Sequence, residues 1–366
     1  MIEQSIPYRR LSHLRISGGR LDKPEQVVKQ LGAMQAQDYH QTLWAIGLRM
    51  KSSTLADIER SIEDRKIILT WPMRGTIHFV PPEDVRWMLK LSAARTLAQD
   101  NRRLEQLELN QKIIEQSKQI MYDALRGDKR ISRPLLMDLL EEAGISTKNQ
   151  RGYHLLWYIA QSGLICMGPR EGKQQTFVLL DEWAPGAKEL SMSEALAKLT
   201  EKYFTSHGPA TVQDFAWWAG ITLTDARKGV EAVRARLVSG KLNNQEYWEG
   251  EHSETGSTDA ESTVYLLPGY DEHLLGYKDR SAVLKAEYSN HIIPGGNGVF
   301  MPTLIIDGQV AGTWKRTIKS KGIDIEFNLF ESHEDREENI LQTAQRYCEF
   351  IGLPLGSTKM DKKRPK

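Results

Sequence analysis

Apolar residues recur at helical spacing through most of the first two thirds of the chain. Val27, Val28, Leu31 and Met34 stand three or four apart and predict an amphipathic helix. Its start is marked by Asp22 as N-cap, with Pro24 in the first turn and Glu25 three residues after the cap. Residues 8–16 predict a shorter helix ended by Gly18-Gly19, and the apolar run 43–50, with Trp44, predicts a buried segment. Thr54 and Asp57 make a capping box for a helix carrying Leu55, Ile58 and Ile62. The pattern then changes to two short apolar runs, 67–71 and 76–80, around a Pro72-Met73-Arg74-Gly75 turn, which predicts a hairpin. A further helix follows from Pro81 to about Gln99.

The same order returns twice. Helices are predicted over 110–125, from Ser132-Arg133-Pro134 up to Gly144, and over 148–162, with Leu155, Leu156 and Ile159 as the apolar stripe of the last. Ile145-Ser146-Thr147 reads as the turn of a helix-turn-helix. Strands 164–167 and 176–179 then flank a turn with a basic tip, Arg170 to Lys173. A third copy begins at the cap signature of Ser191 and Glu194, and runs through the tryptophan pair Trp217-Trp218 to a helix capped by Thr222. From Val264 the pattern turns to β, with a Gly-rich hairpin predicted over 292–301, another hairpin around Asp307-Gly308, and a last helix over 335–351. Helix, helix, helix and hairpin is the order of a winged helix. The predicted fold is α+β, mainly helical, with tandem winged-helix motifs (helix-turn-helix plus β-wing) and a C-terminal β-rich region. The expected domains are 1–100, 101–185 and 186–263 as winged helices, 264–355 as the β-rich region with the final helix, and 356–366 as a basic tail. The polar stretch 250–263 reads as a mobile loop and the tail from Lys359 as disordered.

Composition narrows the classes. The chain has 366 residues and a net charge of +1, so a nucleic-acid surface must be a local patch. Two cysteines, Cys166 and Cys348, lie far apart in apolar contexts, which fits buried thiols in a reducing compartment. No run of about 18 apolar residues occurs and the N-terminus lacks an export core, so a cytoplasmic protein without membrane association is expected. The nine histidines show no metal-ligand spacing, and neither a metal nor a cofactor is expected.

The stretch Gln35-Ala36-Gln37-Asp38 stands out at the end of the second helix. On a helix, residues i and i+2 point about 200° apart, so two glutamines could serve one site only where the helix has ended. Otherwise one caps the helix and the other is solvated. Four stretches, 31–38, 71–78, 266–272 with Asp279-Arg280, and 307–316, together resemble the winged-helix DNA-binding superfamily that contains the AlkZ- and YcaQ-type bacterial DNA glycosylases. In that family a Gln-apolar-Gln motif marks the AlkZ-like members, and Gln35-Ala36-Gln37 matches it. The resemblance implies a DNA glycosylase acting on N7-alkylated purines, with some members unhooking interstrand crosslinks. It implies Gln35 and Gln37 as the catalytic pair, and double-stranded DNA with alkylated bases as the partner of a monomer that is nucleoid-associated when bound.

The chemistry suits amides. Alkylation at N7 makes the base cationic and a good leaving group, so no general acid is required. A glutamine carbonyl can orient a water at C1′ and place negative dipole near an oxocarbenium-like sugar. No lysine or amine nucleophile is called for, so the step would be monofunctional. In an alternative arrangement Asp271 or Glu272, beside His273, acts as general base; Asp271 could equally form a buried ion-pair network with Asp279 and Arg280. Asp38 could orient the glutamines, and Arg74 and His78 on the first hairpin could line the pocket. Lys148, Arg151, Arg170, Lys173, Lys315 and Arg316 are the candidate DNA contacts. A different class, a non-enzymatic winged-helix regulator reading bases with the 148–162 helix, has no need of the glutamine pair.

Overall fold

The computed structural model describes residues 2–251 and 264–362. The chain divides into two compact units, the first formed by Met1–Ile58, Leu199–Trp218 and Thr222–Lys366, the second by Glu59–Lys198 with Ala219–Ile221. Helices and antiparallel sheet occur in both units, so the class is α+β.

The first unit opens with the helix Ile2–His13. The next helix is Pro24–Leu31 and begins two residues later than expected, because the cap is made by Lys23, whose N–H donates to Gln26 Oε1 at 3.1 Å. Asp22 instead pairs with Lys51 in water. The helix stops at Gly32, whose φ of +80° lies in the left-handed region. Met34–Gln35 is extended, and the helix Tyr39–Leu48 follows with most of its length buried. Farther along, the helices Met192–His207, Val212–Ala219 and Leu223–Val233 lead into the hairpin Leu237–Leu242 and Gln245–Gly250. Asn243 and Asn244, both at positive φ, turn that hairpin. Residues 252–263, most of the expected mobile loop, lie outside the described residues.

The core of this unit is a five-stranded sheet in the order Leu355–Lys362, Gly322–Leu329, Gln309–Lys319, Thr303–Ile306, Val264–Leu267. Ile323, Ile325, Phe327 and Leu329 alternate inward along one strand, the period of a sheet with one face on the core. Asp307-Gly308 makes the two-residue turn expected of it. The helix Glu337–Ile351 covers the sheet, and its Tyr347 ring lies 5.1 Å from Trp314 and 5.2 Å from Trp44. Two expectations are corrected here. Residues 292–301 form no hairpin: Ser289–Ile292 is a single helical turn, Gly295 and Gly296 then take positive φ and turn the chain out of helical geometry, and Met301 N–H closes the loop onto Ile292 O. The tail is not disordered from Lys359, since Leu355–Lys362 is a strand parallel to Gly322–Leu329; residues 363–366 lie outside the described residues.

The second unit carries five strands in the order Thr76–Val80, Ile68–Met73, Ile165–Met167, Thr176–Leu179, Ile131–Ser132. The expected hairpin 67–80 pairs Ile68 with Val80 and Leu69 with Phe79. The helices Val85–Ala98, Gln111–Leu125, Arg133–Glu142 and Arg151–Gln161 pack around this sheet. Two of their starts follow the signals in the sequence: Asn110 Oδ1 caps Ile113 N–H, and Pro134 occupies the first turn after Ser132. The other two begin later than expected, at Val85 and not Pro81, and at Arg151 and not Lys148, where Asn149 and Gln150 take positive φ and form a turn.

Candidate active site

The double-glutamine segment and the 266–272 segment meet in the first unit, joined by hydrogen bonds at Glu272 and, through Gln41, at Gly269. Because the helix ends at Gly32, Gln35 lies on extended backbone. Its carbonyl accepts from Thr42 Oγ1 at 3.0 Å, and its N–H donates to Glu272 Oε1 at 3.3 Å. Gln35 is buried at 8% exposure, whereas Gln37 faces solvent. Asp38 caps the next helix, its Oδ1 accepting from Gln41 N–H at 3.2 Å and its Oδ2 from Gln41 Nε2 at 2.9 Å. Gln41 Oε1 in turn accepts from Gly269 N–H, so Asp38 acts on the second segment through Gln41. A Cβ on Gly269 would lie 2.6 Å from Phe300 O, which is why the chain can pass here only as glycine.

Glu272 is nearly out of water, and its carboxylate is enclosed by donors. Trp218 Nε1–H donates to Oε2 at 2.9 Å, and His207 Nε2 lies 3.2 Å from the same oxygen. Ser206 Oγ stands 2.7 Å from the other ring nitrogen, and Tyr203 stacks on the ring at 4.8 Å. Asp271 is held differently. Arg49 Nη1 and Nη2 reach its two oxygens at 2.8 and 2.9 Å, with both side chains buried, and Oδ1 also caps His273 N–H. This corrects the expected network with Asp279 and Arg280. Asp279 accepts from Ser281 N–H, while Arg280 donates Nε–H to Leu274 O and lies over the rings of Trp217 and Phe300. His273 is fully enclosed, and burial pushes its pKa down to about 4, so its ring is neutral near pH 7.

The remaining candidates are dispersed. Arg74 and His78 lie on the hairpin of the second unit, where Arg74 Nη2 is 3.4 Å from His78 Nε2 and His78 Nδ1 is 2.8 Å from Thr76 O. His78 is completely buried. Lys148 and Lys173, also in the second unit, are exposed, and Arg170 is half-buried. Arg151 turns inward, donating to the carbonyls of Ser146, Leu107 and Glu108. In the first unit Lys315 pairs with Glu326 at 2.8 Å across the hairpin, and Arg316 lies over Tyr347. Among the described residues no group of three or more His, Cys, Asp or Glu side chains could hold a metal, and no helix is long and apolar enough to cross a membrane.

Arg49, Gln41, Thr42, His207 and Trp218 were not singled out in the sequence. Arg49, His207 and Trp218 reach the site through contacts over which sequence spacing carries no signal. Gln41 and Thr42 are local, three and four residues after Asp38, and the Asp-x-x-Gln spacing of a capped helix start could have pointed to Gln41.

Known proteins share this arrangement of chain. A family model described as DNA glycosylase AlkZ-like matches residues 28–350. An interstrand DNA cross-link repair glycosylase of Streptomyces sahachiroi is 24% identical over 300 residues, spanning 79% of this chain and 81% of the relative. The solved structure of the Streptomyces sahachiroi DNA glycosylase AlkZ covers 99% of each chain with a TM-score of 0.82 at 20% identity, a likeness of fold. The family match decides between the two classes left open by the sequence, in favour of the enzyme. The chain belongs to the AlkZ-like family of DNA glycosylases.

Proposed function

We propose that this glycosylase hydrolyses the N-glycosidic bond of cationic N7-alkylated purines in duplex DNA, with Gln35 and Gln37 placing the attacking water. The observation that carries the reading is the end of the helix at Gly32, which puts Gln35 on extended backbone. Gln37 follows in a bend, exposed to solvent, so the two side chains escape the opposed directions that a continuous helix would impose on them. The glutamine carbonyls would orient the water at C1′ and set negative dipole against the oxocarbenium-like sugar. A carboxylate base is the weaker choice, because both candidates are committed. Glu272 takes up Gln35, Trp218 and His207, and Asp271 takes up Arg49 and His273 N–H. Glu272 is therefore a positioning residue, holding the backbone at Gln35. The reaction is monofunctional and leaves an abasic site.

In this reading three winged helices carry the DNA. The order helix, strand, helix, helix, strand, strand over 111–179 supports one of them, with Lys148 and Lys173 at its exposed tips. The relative's name adds a second substrate, the interstrand crosslink, whose base is tied to the opposite strand and cannot swing fully free.

The test is a duplex with one N7-methylguanine, incubated with wild type, Gln35→Ala or Gln37→Ala in a chelator and then treated with alkali. Strand breaks that need the alkali and vanish in both variants are expected. Excision surviving both substitutions would overturn the glutamine mechanism. A crosslinked duplex run in parallel tests the second substrate.

A further inference from the structure

A second cavity of the first unit has the chemistry of an anion site. It measures about 390 Å³, within the range of small-molecule pockets. Arg20, Arg346, Tyr265 and Thr343 line it, together with Gly18 and Gly19. Both guanidiniums line the same cavity, and both are partly withdrawn from water. Burial, and then the Arg20 charge, bring the Arg346 pKa down to about 10. Among the described residues neither arginine has a carboxylate within ion-pair distance. Arg346 spends two donors on Leu48 O and Met50 O, at 3.0 and 3.2 Å, while Arg20 Nε is buried with no acceptor. Tyr265, whose pKa burial raises, stays a neutral phenol.

Two partly desolvated cations lining one cavity, with the Glu349 carboxylate acting on Arg346 only from beyond ion-pair distance, cost stability that an anion between them relieves. Planar guanidinium forks match tetrahedral oxyanions, binding two oxygens at once. Gly18 and Gly19, both at positive φ, bring bare backbone to the cavity wall. We propose that Arg20 and Arg346 bind a phosphate group in this cavity, with the Tyr265 phenol beside them; the Thr343 hydroxyl on the same wall already donates to Ile340 O. The inference is independent of the lesion chemistry at Gln35. The phosphate is either free, as in inorganic phosphate or a nucleotide, or a phosphodiester of bound DNA, and the two sources are separable by experiment.

In the first arm, thermal unfolding of the full chain is followed in sodium phosphate against sodium chloride at matched ionic strength. The unfolding temperature of the wild type rises with phosphate, and Arg20→Gln weakens that binding at least tenfold. Among the described residues Arg20 Nε has no acceptor, and the midpoint of the variant in chloride controls for any loss of stability. Arg20→Lys, which keeps a charge, restores part of the effect. In the second arm, binding to an undamaged duplex is measured across salt concentrations. A DNA phosphodiester in the cavity lowers the log-log salt slope by about one in Arg20→Gln. Loss in the first arm alone identifies free phosphate as the ligand, and loss in the second identifies DNA. No phosphate-specific rise in the wild type, together with an unchanged slope in the variant, would overturn the proposal.

Discussion

Arg49 and Asp271 stand 222 residues apart in the chain and form a two-pronged ion pair with both side chains out of water. Arg49 also donates to Leu14 O and Ala45 O, each at 2.8 Å. Replacing it strands a buried carboxylate and two carbonyls. Arg49→Met should destabilise the protein by about 3–5 kcal/mol, and adding Asp271→Asn should recover part of the loss. Denaturant unfolding of the single and double variants measures both. An unchanged midpoint for the single variant would show that the pair is not buried as described.

Thr42 bridges the carbonyls of Gln35 and Asp38 with one hydroxyl. Thr42→Val removes that bridge at a cost of about 1 kcal/mol in stability. If the backbone at Gln35 matters to the chemistry, excision should fall more than tenfold while affinity for undamaged duplex holds. Single-turnover excision read beside duplex binding separates the two. Equal losses in both would assign Thr42 to folding alone.

Two histidines set an acid limit. Burial lowers His13 and His273 from an ordinary value of 6.5 to about 4. Between these values the unfolded chain takes up protons that the folded chain refuses, so stability is full above pH 6.5 and falls as pH drops towards 4. The displacement amounts to about 3 kcal/mol for each ring, to within a factor of two. His273→Leu should flatten the pH dependence of unfolding in that window. A slope identical to wild type would mean that the ring takes up its proton in the folded chain as readily as in the unfolded one.

Arg151 and Lys148 both resemble phosphate contacts in the sequence, yet they should respond differently. Arg151→Ala frees three backbone carbonyls, and a stability loss of about 1–3 kcal/mol is expected. Lys148→Ala touches nothing structural, so its effect should be confined to DNA affinity, with a salt slope smaller by about one. Unfolding curves and salt-dependent binding of both variants check the contrast. A salt slope that drops for Arg151→Ala and not for Lys148→Ala would reverse the assignment.

The sequence was most legible where its signals are local. Thr54 and Asp57 cap their helix as the spacing predicts, with Thr54 N–H donating to Asp57 at 2.9 Å. The Asp307-Gly308 turn also forms as expected. Gln35-Ala36-Gln37 and 266–272 were both conspicuous, and the structure joins them through Glu272 and Gln41. The identity of Asp271's partner was not legible, because an ion pair spanning 222 residues leaves no periodicity, and Arg280 was nearer in sequence. Residues 292–301 misled for another reason. Apolar pairs flanking glycines look like a hairpin, but left-handed glycines end a helical turn and reverse an irregular loop equally well. The alternation of Ile323, Ile325, Phe327 and Leu329 was present in the sequence and passed over between stronger signals.

The first unit is assembled from three separate stretches of chain, and this has a consequence for synthesis. A ribosome delivers Gln35 and Arg49 long before Glu272 and Asp271, and the partner strands of the central sheet come later still. The middle stretch, nearly continuous, can begin folding while the rest is unfinished. A nascent chain halted before residue 271 therefore carries an arginine with no carboxylate and a glutamine segment with no clasp. Such a chain already presents Lys148 and Lys173 at its surface but has no joined Gln35–Glu272 centre, so if those lysines contact DNA as proposed, maturation order keeps binding ahead of chemistry.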